Sequence, residues 1–153
     1  MSEKWDIRYV ELARLVSTWS KDPSTQVGAV LVRPDNSVAS IGYNGFPKGI
    51  DDTAERLNDR DTKYSLVIHA EMNAVLNAHD DVRGNTLYLW PLLCCDRCAV
   101  HMIQAGIKRV VAPSCPPDKI SRWEPILTKS RERFEEAGVE WVEIPYETFE
   151  ETK

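Results

Sequence analysis

Residues 86–113 read TLYLWPLLCCDRCAVHMIQAGIKRVVAP, and they hold a strand, a helix and a second strand in succession. TLYLW has the aromatic and apolar content of a short strand, and the residues after CCDRC run as a helix to Gln104. Gly106 supplies a C-terminal cap, where a left-handed backbone carries no Cβ penalty. KRVVAP then forms another short strand. Two strands joined by one helix lie side by side in a sheet through a right-handed crossover. That unit predicts a mixed α/β architecture.

On the N-terminal side, Ile7, Val10, Leu12, Ala13, Leu15 and Val16 recur at roughly helical spacing. They predict a first helix that ends near Trp19, ahead of Pro23 in SKDPS. QVGAVLVRP and SVASIGYN are β-rich runs joined by PDNS, whose Pro, Asp and Asn form turns, so a hairpin is expected. GFPKGIDDTAERLNDRDTK is charged and rich in turn residues, and reads as a long loop with one short helix at its centre. A second helix runs from about His69 to Ala78. Further on, SRWEPILTKSRERFEEAG reads as a helix closed by Gly138, VEWVEI as the last strand and YETFEETK as an acidic tail. The expectation is one α/β domain over residues 1–153, its central mixed sheet of about five strands flanked by helices.

Composition bounds the partners. A chain of 153 residues with 42% hydrophobic content can bury a single core. Its net charge of −5 argues against a polynucleotide partner, because neutralising phosphates takes clustered Lys and Arg. A small anionic ligand needs only a local patch. The opening MSEKWDIRYVELARLV is charged and lacks an apolar signal core, and no stretch approaches the ~20 apolar residues of a membrane span. A cytoplasmic protein without membrane contact is expected, and its four cysteines suit metal ligands or buried thiols better than disulfides.

Chemistry concentrates where two helices begin. Cys95 and Cys98 are three residues apart, so their side chains share a face and can grip one ion, and a helix N-terminus favours thiolates. A redox dithiol is a competing reading of the same C-x-x-C. Cys94, Cys98 and His101, at i, i+4 and i+7, form a rival stripe, and spacing alone does not choose between the sets. In IHAEMNAVLNA, His69 and Glu71 are two residues apart, about 200° around a regular helix. They suit different jobs: a metal ligand, and a carboxylate that handles protons from a bound water.

His-x-Glu followed by Cys-x-x-Cys is the signature of zinc deaminases. The chain resembles the cytidine and deoxycytidylate deaminase superfamily, and within it the deoxycytidylate (dCMP) deaminases. The likeness is carried by SKDPSTQVGAVLV, IGYNGFPKGIDD, DTKYSLVIHAEMNAVLNA and CDRCAVHMIQAGIKRVV, and is weaker over residues 1–15 and 113–153. It implies a cytidine-deaminase-like three-layer sandwich and one catalytic Zn²⁺ held by His69, Cys95 and Cys98, with Glu71 as the proton shuttle. It also implies sugar contact by Asn44 and base contacts by the backbones of Ala70 and Leu93. Lys21 and Ser24 are further candidate substrate contacts. Cys94 stands where the family usually has proline, and Ile50 where related sequences carry the Cys of a second, structural zinc site.

The implied reaction is hydrolysis of dCMP to dUMP with release of ammonia. CMP, deoxycytidine and 5-modified dCMP are alternative substrates, and a non-catalytic zinc module completed by Cys94, His101 or Cys115 is a reading of another class. The segment GFPKGIDDTAERLNDRDTKYS looks like the nucleotide-monophosphate branch, with Lys21, Lys48, Arg56, Arg60 and Lys63 available for a phosphate. The likeness further implies dCTP as activator and dTTP as inhibitor, with Mg²⁺ accompanying these regulatory nucleotides, and a homo-oligomer, dimeric or hexameric.

Overall fold

The computed structural model describes residues 2–150. Helix α1 (Glu3–Ser17) leads into the hairpin β1 (Gly28–Val32) and β2 (Val38–Tyr43), followed by two short helices, α2 (Ala54–Asn58) and α3 (Arg60–Leu66). Then come α4 (Ala70–Asn77), β3 (Thr86–Trp90), α5 (Asp96–Ala105), β4 (Arg109–Pro113), α6 (Ile120–Ala137), β5 (Glu140–Ile144) and α7 (Glu147–Glu150). The strands form one sheet in the order β2-β1-β3-β4-β5. β1 is antiparallel to both its neighbours, while β3, β4 and β5 run parallel. This is the mixed five-stranded sheet that the sequence predicts.

Alternation along each strand sorts side chains into two cores. Ala29, Leu31, Leu87, Leu89, Val110 and Ala112 face α4, α5 and α6. Val30, Val32, Tyr88, Trp90, Val111 and Ile144 face α1 and the buried Phe149 of α7. Helices therefore cover both faces in three layers, which is why β1 is apolar at every position after its glycine. Each large aliphatic side chain buried this way contributes about 1.5–3 kcal/mol. On the α1 face, the Arg109 guanidinium donates twice to Asp6, at 2.8 Å each, and Tyr88 donates to the same carboxylate at 2.8 Å. That buried charge is thus fully partnered, and it fastens α1 to β3 and β4.

Two glycines set how closely helices approach the sheet. A Cβ on Gly28 would lie 1.9 Å from the Ala13 carbonyl oxygen of α1. One on Gly42 would lie 2.4 Å from the Ala74 nitrogen and 2.5 Å from the Ala70 oxygen of α4. The second contact matters for function, because it seats α4 directly against β2.

The structure departs from the sequence reading at three places. The segment expected as a loop with one helix holds two, α2 capped by the Thr53 side chain and α3 beginning at once after Asp59. The first helix ends at Ser17 rather than near Trp19. The last long helix, by contrast, runs as the sequence predicts, through Pro125 to a left-handed cap at Gly138. The acidic tail turns into α7, whose Phe149 packs edge-on against Trp90, 5.6 Å between ring centroids; residues 151–153 lie outside the described residues. No helix among the described residues is long and apolar enough to cross a membrane.

Candidate active site

The N-terminal ends of α4 and α5 meet at one rim of the sheet. His69 is the residue before α4, held in an extended conformation (φ −67°, ψ 153°) without a side-chain cap of its own helix. A short bridge fixes the approach: Gly45 and Ile68 exchange backbone hydrogen bonds of 3.1 and 2.8 Å. The His69 ring is therefore free to turn toward sulfur. Its Nδ1 lies 3.2 Å from Cys98 Sγ and 3.6 Å from Cys95 Sγ. Cys95 is the N-cap of α5, and its sulfur accepts the Cys98 backbone N–H at 3.4 Å.

The three donor atoms lie within 4.8 Å of one another, the one such group among the described residues. A tetrahedral Zn²⁺ with its usual bond lengths to sulfur and nitrogen spaces its ligands about 3.5–3.8 Å apart. The donor set and its spacing fit that ion, and three protein ligands leave the fourth position open. Cys94 is buried outside the cluster, and His101 is exposed on α5. Cys115 is buried beyond β4, and all four cysteines are free thiols.

Electrostatics bear on what the cluster can hold. The Cys95 thiol is pulled down to about 4, first by a hydrogen bond from Cys98 and then by His69. Cys98 is pushed up, because its S–H donates a hydrogen bond to the Cys95 sulfur and is buried. His69 is raised to about 8, chiefly by its hydrogen bond to Cys95. A cation bound by these groups would displace the protons of Cys98 and His69, since a metal takes thiolate and neutral imidazole as ligands. Glu71, in the first turn of α4 and 4% exposed, is pushed up by burial, partly offset by His69. A carboxyl poised to hold a proton beside a metal cluster suits acid–base work.

These groups open onto a cavity of about 140 Å³. Of the residues singled out in the sequence, Ser24, Asn44, Lys63, Ala70, Leu93 and Cys94 line it together with His69, Glu71 and Cys95. Lys21 does not: it is exposed and paired with Asp52 at 3.2 Å. Lys48 and Arg56 also lie outside the lining. Asn44 has a structural task as well, accepting from the Val27 N–H at 2.9 Å and donating to the Thr25 carbonyl at 2.9 Å. It shapes the 22–27 loop with Asp22, which accepts the Ser24 and Thr25 amides.

Helix α6 supplies what the sequence reading missed. Arg122 and Trp123, near its start, complete the cavity wall. Further along, Ser130 is fully buried and donates to the Cys94 carbonyl at 2.9 Å, while Arg133 donates to the Asp96 carbonyl at 2.9 Å. These two bonds bracket Cys95. The only sequence signal was the one-turn spacing of Ser130 and Arg133, which says nothing about which loop they reach.

A sequence model of the family described as "Cytidine and deoxycytidylate deaminase zinc-binding region" matches residues 3–114. Deoxycytidylate deaminase of Mus musculus is 43% identical over 144 residues, covering 89% of this chain and 77% of that protein. A protein of Aliivibrio fischeri described as "Uncharacterized deaminase in luxG 3'region" is 41% identical over 145 residues, covering 95% of this chain and 97% of its own. In fold, the chain is similar to the dCMP deaminase of cyanophage S-TIM5, solved in complex with dCMP and dUMP. The TM-score is 0.74 at 23% identity, over 94% of this chain and 99% of that one.

Proposed function

The chain belongs to the cytidine and deoxycytidylate deaminase family, and on that premise we propose that it is a single-domain, zinc-dependent hydrolase that converts dCMP to dUMP and ammonia. The observation that carries this reading is the His69, Cys95 and Cys98 cluster opening onto a cavity beside the buried carboxyl of Glu71. With three donors gathered among the described residues and no fourth, the arrangement favours an open catalytic centre over a closed structural one.

His69, Cys95 and Cys98 hold the ion. When bound, zinc supplies Lewis-acid activation of water at neutral pH. Glu71 takes a proton from the attacking water, the oxygen adds to C4 of cytosine, and the same carboxyl delivers the proton to N3. A second transfer through Glu71 lets the amino group leave as ammonia, so water and dCMP become dUMP and NH₃. The backbone of Ala70 meets the base edge, the Leu93 carbonyl accepts from the exocyclic amine, and Asn44 holds the sugar. Ser24 lines the wall and Lys21 stands farther out, beyond the cavity lining.

The test is an ultraviolet assay of zinc-loaded protein against dCMP, CMP, deoxycytidine, dCTP and 5-methyl-dCMP. We expect dCMP to give the highest kcat/KM. Absence of turnover with every cytosine compound would sink the reading. In the same assay, dCTP with Mg²⁺ should stimulate and dTTP inhibit, in a dimeric or hexameric assembly; hyperbolic kinetics indifferent to both nucleotides would remove the regulatory part.

A further inference from the structure

Helix α6 gives the candidate site no metal ligand, yet it grips the segment that carries one. Ser130 and Arg133 are three residues apart and so share a face of α6. Ser130 lies in a buried stripe between Leu127 and Phe134, all three fully enclosed. A hydroxyl there is costly unless it is hydrogen-bonded. Its own helix offers the Ile126 carbonyl at 3.3 Å, but the shorter bond leaves the helix for the Cys94 carbonyl, at 2.9 Å. Arg133 donates to the Asp96 carbonyl at 2.9 Å, and its guanidinium lies 3.4 Å from the Asp96 carboxylate.

These bonds complete a set. The Cys95 carbonyl, between the other two, accepts the Ala99 N–H at 2.9 Å. The carbonyls of Cys94, Cys95 and Asp96 are therefore each held, which fixes the peptide planes on both sides of Cys95 and the one that follows. With the Cys95 backbone fixed at φ −65° and ψ 166°, the direction of its Cα–Cβ bond is set. Cys95 depends on this more than its partner does. Cys98 is buried in the core and placed by packing, whereas Cys95 is only partly buried.

We propose that Ser130 and Arg133 are positioning residues for the metal: from a helix that supplies no ligand, they aim the Cys95 sulfur at the point where it meets His69 and Cys98. The inference rests on the zinc reading above and extends the site to α6, beyond the matched segment 3–114. Because the two side chains hold the backbone around a single ligand, their loss loosens that ligand more than it loosens the fold.

The experiment reads the metal rather than turnover. Zinc affinity is measured on the full chain by competition with a chromophoric chelator, for wild type, Ser130→Ala, Arg133→Met, Arg133→Lys and Val10→Ala, at a temperature where each is folded. The same proteins are loaded with Co²⁺, whose visible bands report the geometry of its ligands. Ser130→Ala and Arg133→Met should each weaken zinc by ~10–100-fold, the range for residues that orient a metal ligand, and alter the cobalt bands. Arg133→Lys should recover part of the loss, since its ammonium can still donate to the Asp96 carbonyl. Val10, fully buried on α1 across the sheet, is the control: its truncation should lower Tm and leave zinc affinity and the cobalt bands unchanged. Wild-type affinity and spectrum in both Ser130→Ala and Arg133→Met would overturn the assignment, and so would an equal loss of affinity in Val10→Ala. A wild type that takes up neither ion would defeat the functional reading and this inference with it, whereas a wild type that binds zinc no more tightly than its variants would defeat this inference alone.

Discussion

The proposed function gives Glu71 and Cys95 separate duties that a pair of substitutions can tell apart. Glu71→Gln should keep its zinc and lose turnover by ~10²–10⁴-fold or more, since the carboxyl serves more than one proton transfer; metal analysis beside kcat checks both halves. Loss of metal in that variant would make Glu71 a ligand. Cys95→Ser should strip the metal, whereas Cys94→Pro should retain it, because Cys94 lies outside the donor cluster and proline suits a helix entrance. Zinc kept in the serine variant and lost in the proline variant would reverse the ligand set. Spacing in the sequence left both sets open, because i, i+3 and i, i+4 are each one helical face. What separates them is the start of α5 at Asp96, a boundary of one residue that propensity does not resolve.

Among the elements, α4 is positioned by contact rather than by its own stability. It has eight residues, short for an independent helix, and it gains its place from the glycine surface of β2. Gly42→Ala would press a methyl against the α4 backbone, which has no flexible side chain to yield, so destabilisation of at least ~1–3 kcal/mol is expected. Chemical denaturation measures that loss, and zinc affinity should fall with it because His69 moves with α4. Stability unchanged within error would show that α4 is not held by this contact. The β3-α5-β4 unit was legible in the sequence because strand, helix, cap and strand each carry a local signal. α2 and α3 were not resolved from each other, since a charged stretch has little apolar periodicity to divide. α7 escaped because one phenylalanine in an acidic run reveals its partner only through Trp90, nearly sixty residues earlier in the chain.

Over the whole molecule, metal binding and folding are coupled. The proposed ligands lie at the N-terminal ends of α4 and α5, which the unfolded chain does not bring together, so the binding free energy of the ion adds to that of folding. Chelation should therefore lower Tm, and restoring zinc should raise it in a concentration-dependent way; a Tm indifferent to chelator would mean the cluster holds no structural share. Proton linkage has a definite sign. Cys98 is pushed up and His69 raised to about 8, so protons must leave as the ion enters, and zinc affinity should fall as pH is lowered between about pH 9 and 6. Competition with a chelator of known pH dependence checks the slope. The sequence announced most of this site through His69, Glu71, Cys95 and Cys98, whose types are rare enough in combination to stand out. Arg122 and Trp123 were silent, because a surface arginine beside a tryptophan acquires meaning only from the neighbour that the fold assigns to it.

The placement of α6 has a consequence for how such a protein changes over time. The residues proposed to hold the metal and move protons lie within 69–98, while Arg122 and Trp123, at the head of a helix outside the matched segment, form another part of the cavity wall. Reaction and selectivity are therefore heritable as different stretches of the chain. Variation at the head of α6 can retune which molecules are admitted without altering a metal ligand or the proton-carrying carboxyl, whereas variation within 69–98 risks the reaction itself.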